Sequence, residues 1–202
     1  MPLVEDLKQT AERLTRWQRP SAQQLARLPR AKKAKTYFFA DDGFIPNNPR
    51  WPVLVYAKGV TLPRGLDPAA VLEDLFERNG WGQSWRAGIY DYLHYHSQIH
   101  EVLGVARGTV RVRLGGAKGR TFKLSAGDVV ILPAGTGHQC LGASKTFLCV
   151  GAYPPTGTYD ECLPDKHACK AARGRVRRVA RPRQDPLFGK DGGLLQYWET
   201  TR

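Results

Sequence analysis

The chain has 202 residues, 42% of them hydrophobic, and a formal charge of +13, which suits one buried core with extensions. No run approaches the ~20 apolar residues of a membrane span, and Met1-Pro2-Leu3-Val4-Glu5-Asp6 lacks a basic region followed by an apolar one, so a soluble cytoplasmic protein is expected. The basicity lies in two flanks: residues 1–35 hold nine Lys/Arg against three acids, residues 166–183 hold eight against none, and the remainder is nearly neutral.

In chain order, Leu3, Leu7, Ala11 and Leu14 have helical spacing, stopping before Pro20. Ser21-x-x-Gln24 reads as a capping box for a second short helix ending near Pro29. Tyr37–Ala40 and Pro52–Tyr56 read as strands around a Pro/Asn-rich turn. A helix follows, with Asp67 as its cap, Pro68 in its first turn, Val71, Leu72, Leu75 and Phe76 as its buried face, and Asn79-Gly80 as its stop. A strand-rich core runs from about Trp81 to about Tyr153. Beyond it, Pro154 to Pro186 reads as loop, and Leu194–Trp198 as a closing strand.

Four of the five histidines fall in that core, within two patterns. The first is Gly88-x5-His94-x-His96-x4-Glu101-x6-Gly108; the second is Gly127-x5-Pro133-x-Gly135-x2-His138. On a strand, side chains two apart share a face. His94 and His96 therefore converge while Tyr95 points away. Tyr90 and Tyr92 share the histidines' parity, and so does Arg86 if no bulge intervenes. Glu101 aligns with Leu103 and Val105 before a turn at Arg107-Gly108. The next strand alternates Val110, Val112 and Leu114 with Thr109, Arg111 and Arg113. Val129–Leu132 is an apolar run. Pro133–Gly137 is a turn, because proline fixes one φ and the glycines allow φ > 0. His138 opens the returning strand, with Cys140 and Gly142 on its face. One hairpin thus supplies three candidate metal ligands and a later one the fourth.

The two patterns resemble the paired motifs of the cupin superfamily. Asp41–Asn48, Asn79-Gly80-Trp81, Gly88-Ile89-Tyr90, His94-Tyr95-His96-Ser97 and Gly151-Ala152-Tyr153-Pro154 are similar to the YjlB-like bacterial cupins. The second motif departs at Gly142, where asparagine is usual. The resemblance implies a mainly β fold: a single jelly-roll β-barrel with a helical N-terminal arm and a short helix before the barrel core. Residues 1–35 would be the basic arm, 36–160 the barrel domain (core motifs 88–142), and 161–202 a basic C-terminal extension. It implies one divalent transition ion (Fe, Mn, Ni, Co or Zn) on His94, His96, Glu101 and His138. His100 competes with Glu101, since adjacent residues on a continuous strand cannot both face inward.

Three imidazoles and a carboxylate leave two positions open on a six-coordinate ion. With iron, oxygen and a chelating small molecule could bind together in a dioxygenase. With zinc, nickel or manganese, an isomerase or hydrolase is the expectation. Arg86 could anchor a substrate carboxylate, and Tyr90 and Tyr92 could donate hydrogen bonds or wall the site. A non-catalytic ligand-binding module is the alternative, and nucleic acid held by the basic arms a third reading. A homodimer through sheet edges is expected. Cys140 and Cys149 read as small apolar residues. Cys162, His167 and Cys169 lack a fourth partner for zinc and read as a histidine between free surface thiols.

Overall fold

The computed structural model describes residues 17–30 and 33–199; the helix expected from Leu3 to Leu14 lies outside them. The fold is mainly β, with nine strands among the described residues arranged in two antiparallel sheets. Six strands form the larger sheet: β1 (Lys35–Tyr37), β2 (Val53–Tyr56), β3 (Gly82–Ala87), β4 (Glu101–Arg107), β7 (Val129–Leu132) and β9 (Leu148–Tyr153). They run in the order β1-β2-β7-β4-β9-β3. The smaller sheet is β6-β5-β8, built from β5 (Thr109–Leu114), β6 (Arg120–Ser125) and β8 (His138–Ala143). The two faces meet as in a jelly roll.

The strand sequences explain the layering. β2, β7 and nearly all of β4 are buried on both faces, as their unbroken apolar runs require. Along β4, Leu103 and Val105 pack between the sheets with Val110, Val112, Leu114 and Val130. Val102 and Ala106 face outward into a second core beneath helix α2 (Pro68–Arg78). That helix begins and ends as its sequence dictates. The Asp67 side chain accepts from the Ala69 N–H, Pro68 occupies the first turn, and Val71, Leu72, Leu75 and Phe76 are buried. β5 alternates as expected, with Val110, Val112 and Leu114 inward.

The expected capping box is present: Ser21 and Gln24 exchange hydrogen bonds at the start of α1 (Ala22–Leu25), a single turn that stops short of Pro29. The first strand lies two residues earlier than the aromatic run suggests.

The C-terminal third departs further. Where a loop is expected, Lys166–Arg178 forms helix α3, capped by Asp165. Its apolar stripe is only Cys169, Ala172 and Val176, at helical spacing but masked by the surrounding Lys/Arg. Where a closing strand is expected, Gly193–Tyr197 forms helix α4. A short apolar run does not distinguish helix from strand, and here Leu194 and Trp198, four apart, plug the outer core. The buried Asp185 carboxylate fixes this turn, accepting from the Tyr56 hydroxyl (2.6 Å) and the N–H groups of Leu187 and Leu194. Trp198 stacks on Trp51 at 5.3 Å and donates its indole N–H to the Pro52 carbonyl. None of the described helices is long and apolar enough to cross a membrane.

Candidate metal centre

His94 and His138 exchange backbone hydrogen bonds (3.2 and 2.9 Å), so their rings stand side by side with centroids 4.0 Å apart. His96, two residues on, turns to the same side. Tyr95 between them is buried the other way, against Ile45 and Ala172. The parity argument therefore holds over these three residues. It fails for the hairpin, because residues 97–100 are irregular and carry the chain across to the large sheet. Glu101 then enters from β4, opposite Leu132 of β7. His138 opens β8, His94 pairs beside it, and the carboxylate comes from the facing sheet, so the site is a seam between sheets.

Each ring has its Nδ1 on a backbone carbonyl: His94 on Tyr92, His138 on Thr136 and His96 on Asp160. A carbonyl can only accept, so each Nδ1 carries the proton and each Nε2 presents a lone pair. The three ligand nitrogens lie within 4.8 Å of one another. Glu101 Oε2 is 3.4 Å from the Nε2 of both His96 and His138, fully buried, and has no hydrogen-bond partner. Burial drives the pKa of His94 down to about 3, with His138 adding to the effect. Burial also opposes charge on His96, but Glu101 and Asp160 outweigh it and hold that ring above its ordinary value. For Glu101, burial opposes the carboxylate, yet the His138 and His96 rings hold its pKa below the usual range. Lone pairs converging on an orphaned carboxylate oxygen call for a cation. The donor set suits a divalent transition ion.

His100 faces away from this point. It is fully buried between Trp51 and Trp198, with Nδ1 accepting the Ala134 N–H (2.9 Å) and Nε2 on the Ala180 carbonyl (3.2 Å). Both nitrogens are occupied, so of the two adjacent residues Glu101 is the one in the cluster.

Above the cluster opens a cavity of about 330 Å³, walled chiefly by Trp85, Ile89, Tyr90, Leu103, Tyr153 and Tyr159. Trp85 lies flat across Gly151, where an added Cβ would come within 2.2 Å of the indole. Its Nε1–H donates to the Tyr153 hydroxyl at 3.0 Å. Tyr159 covers the His96 ring at 4.9 Å. Tyr92 stands behind Tyr90, stacked at 4.8 Å, and Glu161 accepts from the hydroxyls of both Tyr92 and Tyr159.

The family model for the cupin domain (Cupin_2) matches residues 86–150. Over 167 residues the chain is 37% identical to the uncharacterized protein YjlB of Bacillus subtilis (strain 168), covering 83% of this chain and 98% of that one. The chain is a YjlB-like cupin. Among solved structures it is similar to an acireductone dioxygenase from Bacillus anthracis with a cadmium ion in its active centre. That match has 18% identity, 52% of this chain, 80% of that one and a TM-score of 0.38. It is also similar to a TDP-fucose-3,4-ketoisomerase from Campylobacter jejuni, with 13% identity, 71% and 98% coverage and a TM-score of 0.39.

In this cupin Arg86 does not enter the cavity. Residues 88–93 are irregular and break the strand parity between Arg86 and His94, so Trp85, opposite Gly151, turns inward and Arg86 outward. Arg86 forms a bidentate pair with Glu73 (2.7 and 2.6 Å) and a bond to Asp67 (2.7 Å) on the flank of α2. Tyr90 lines the cavity; Tyr92 supports it from behind. Cys162 and Cys169 are not surface thiols. Cys169 is buried under α3 and Cys162 is half-buried beside Asp160, while His167 is exposed. Among the described residues, the group with ligand atoms this close is His94, His96 and His138.

Trp85, Tyr153 and Tyr159 escape the sequence reading as cavity residues. For Tyr153 a signal exists: Cys149, Gly151 and Tyr153 share one face of β9, directed between the sheets. Tyr159 lies beyond the last strand, where no periodicity reaches.

Proposed function

We propose that this cupin is a metal-dependent enzyme, with one divalent transition ion held by the Nε2 atoms of His94, His96 and His138 and by the Glu101 carboxylate. The observation that carries this reading is the convergence of three imidazole lone pairs on a buried, unpartnered carboxylate oxygen at the floor of a cavity. Such an ion, when bound, would leave two positions open, which a chelating organic molecule could fill with both donor atoms, oxygen then meeting it in the cavity, or share singly with oxygen.

The cavity walls define the substrate. Among the lining residues there is no Lys, Arg, Asp, Asn or Gln, and Glu101 faces the floor. Nothing there would neutralise a phosphate or a distal carboxylate. Indole and phenol faces favour a planar, largely apolar molecule whose polar atoms are the chelating pair. Tyr90 and Tyr159 would sandwich its rim, and Trp85 and Tyr153 would flank it.

The walls also favour oxygen chemistry over proton shuffling. Burial pushes the Tyr153 phenol far up, with Glu101 adding to the effect, and burial with Glu161 pushes Tyr159 up to about 12. Both stay protonated near neutral pH and can donate a hydrogen bond to a bound molecule but not take a proton from it. We therefore favour a dioxygenase. The test is oxygen uptake by iron-loaded protein with planar chelators such as catechols and β-diketones, set against sugar phosphates and hydroxy acids. Consumption with the planar group alone supports the reading. Turnover without oxygen consumption would move it to an isomerase or hydrolase, and tight binding without turnover to a non-catalytic module.

A further inference from the structure

We propose that the segment from Gly157 to Arg178 is a clasp that completes the metal centre, with Asp160 and Arg175 as positioning residues for His96. The inference rests on the metal-site reading above, and the observation behind it is an asymmetry among the three histidines. His94 and His138 each find the acceptor for Nδ1 two residues back, on Tyr92 and Thr136. His96 does not. Its acceptor is the backbone carbonyl of Asp160, 64 residues downstream and beyond the last strand. The two sheets alone leave that ring without the partner that fixes its tautomer and direction.

The tail is stitched to the ligand segment residue by residue. Tyr95 and Cys162 exchange backbone hydrogen bonds (3.0 and 2.9 Å), and the Thr158 N–H donates to the Gln98 carbonyl. Residues 158–162 thus run antiparallel beside 95–98. The Asp160 carboxylate then grips the stretch between His96 and Glu101. One oxygen accepts the N–H groups of Ser97 and Gln98 (2.8 and 3.0 Å), and the other accepts the Ser97 hydroxyl (2.5 Å). Ser97 is fully buried, and its hydroxyl oxygen in turn accepts the Arg175 Nε–H at 2.7 Å. Hydrogen bonds with one charged partner are roughly twice as strong as neutral ones. The chain of contacts therefore leads from α3 through Arg175, Ser97 and Asp160 to His96.

Helix α3 is seated for this role. Cys169, Ala172 and Val176 are buried beneath it, and Arg173 makes a bidentate pair with Asp41 (2.6 and 3.1 Å). The basic run is thus partly accounted for within the chain, since Arg173, Arg175 and Arg181 have internal partners. Outer groups that orient a metal-ligating histidine typically alter affinity by 10- to 100-fold.

The test uses the full-length protein. Long-range proton–nitrogen correlation on labelled, metal-free samples reads each imidazole tautomer, and competition with a chelator reads cobalt(II) affinity. At a pH high enough to keep the ring neutral, His96 in Asp160→Ala should pass from a single Nδ1–H form to a mixture while His94 and His138 do not change, and cobalt should bind roughly 10- to 100-fold more weakly. Asp160→Asn should recover part of both, because its amide oxygen still accepts the two N–H groups. Arg175→Ala should give a smaller effect of the same sign, and serves if Asp160→Ala does not fold. Asp41→Asn, which weakens the Arg173 ion pair of α3, should leave both readouts unchanged. An unaltered His96 in Asp160→Ala, or an equal loss in Asp41→Asn, would overturn the clasp. If the unmodified protein takes up no cobalt, the metal reading fails, and the tautomer of His96 alone decides the clasp.

Discussion

Glu101 and His138 face each other from opposite sheets, the carboxylate Oε2 3.4 Å from the imidazole Nε2, with no hydrogen bond to hold that oxygen. A buried carboxylate oxygen that accepts no hydrogen bond is costly, so the pair marks the point where a cation belongs. Replacing Glu101 by Gln should weaken cobalt(II) binding at least tenfold, whereas His100→Gln should change it by less than threefold. Equilibrium competition against a chelator ranks the two, and the reverse order would put the wrong member of the adjacent pair in the site.

His100 has a separate, structural consequence. Burial holds its pKa at about 3 against an ordinary 6.5. Because the folded value is the lower one, the neutral ring's contribution is complete above pH 6.5 and drains away as pH falls toward 3. Metal-free protein should thus lose on the order of 3 kcal/mol from this residue between pH 6.5 and pH 4. Denaturant titrations across that range should show a shallower decline in His100→Gln. An unchanged slope would mean that His100 is not held neutral by the fold.

Arg86 should prove dispensable to the site. Its guanidinium is about one-third exposed and paired with Glu73 and Asp67, so Arg86→Ala should cost about 1 kcal/mol of stability. Metal uptake and substrate turnover should stay within twofold of the unmodified protein. A large rise in KM with unchanged stability would instead restore it as a substrate anchor.

Gly151 keeps space for the Trp85 ring. In Gly151→Ala the new Cβ would lie 2.2 Å from the indole, forcing the ring aside at a cost of about 1–3 kcal/mol. Metal stoichiometry should persist while affinity for planar ligands falls. If ligand affinity survives, Trp85 does not shape the substrate.

Much of this was legible in the residues themselves. The His94/His96 parity, the turn before His138 and the alternation in β5 follow from local rules that the fold obeys. So do the Asp67 cap and the buried stripe of α2. Parity failed at Arg86 because an irregular stretch, residues 88–93, separates it from His94, and a pattern of period two carries no memory across such a break. Helix α3 was hidden because only three buried residues, Cys169, Ala172 and Val176, anchor it amid a dense positive run. The Asp160–His96 contact was invisible for a different reason. It joins residues 64 apart through a backbone carbonyl, and a carbonyl leaves no mark in the sequence of side chains.

The central claim is that His94, His96, His138 and Glu101 hold one metal ion. Elemental analysis of purified protein, stripped with chelator and then reconstituted, tests it most directly when read beside His96→Ala. The account predicts close to one equivalent of a divalent transition ion per chain, and a several-fold loss of occupancy in a folded His96→Ala variant. No uptake on reconstitution, or equal occupancy in the variant, would contradict it.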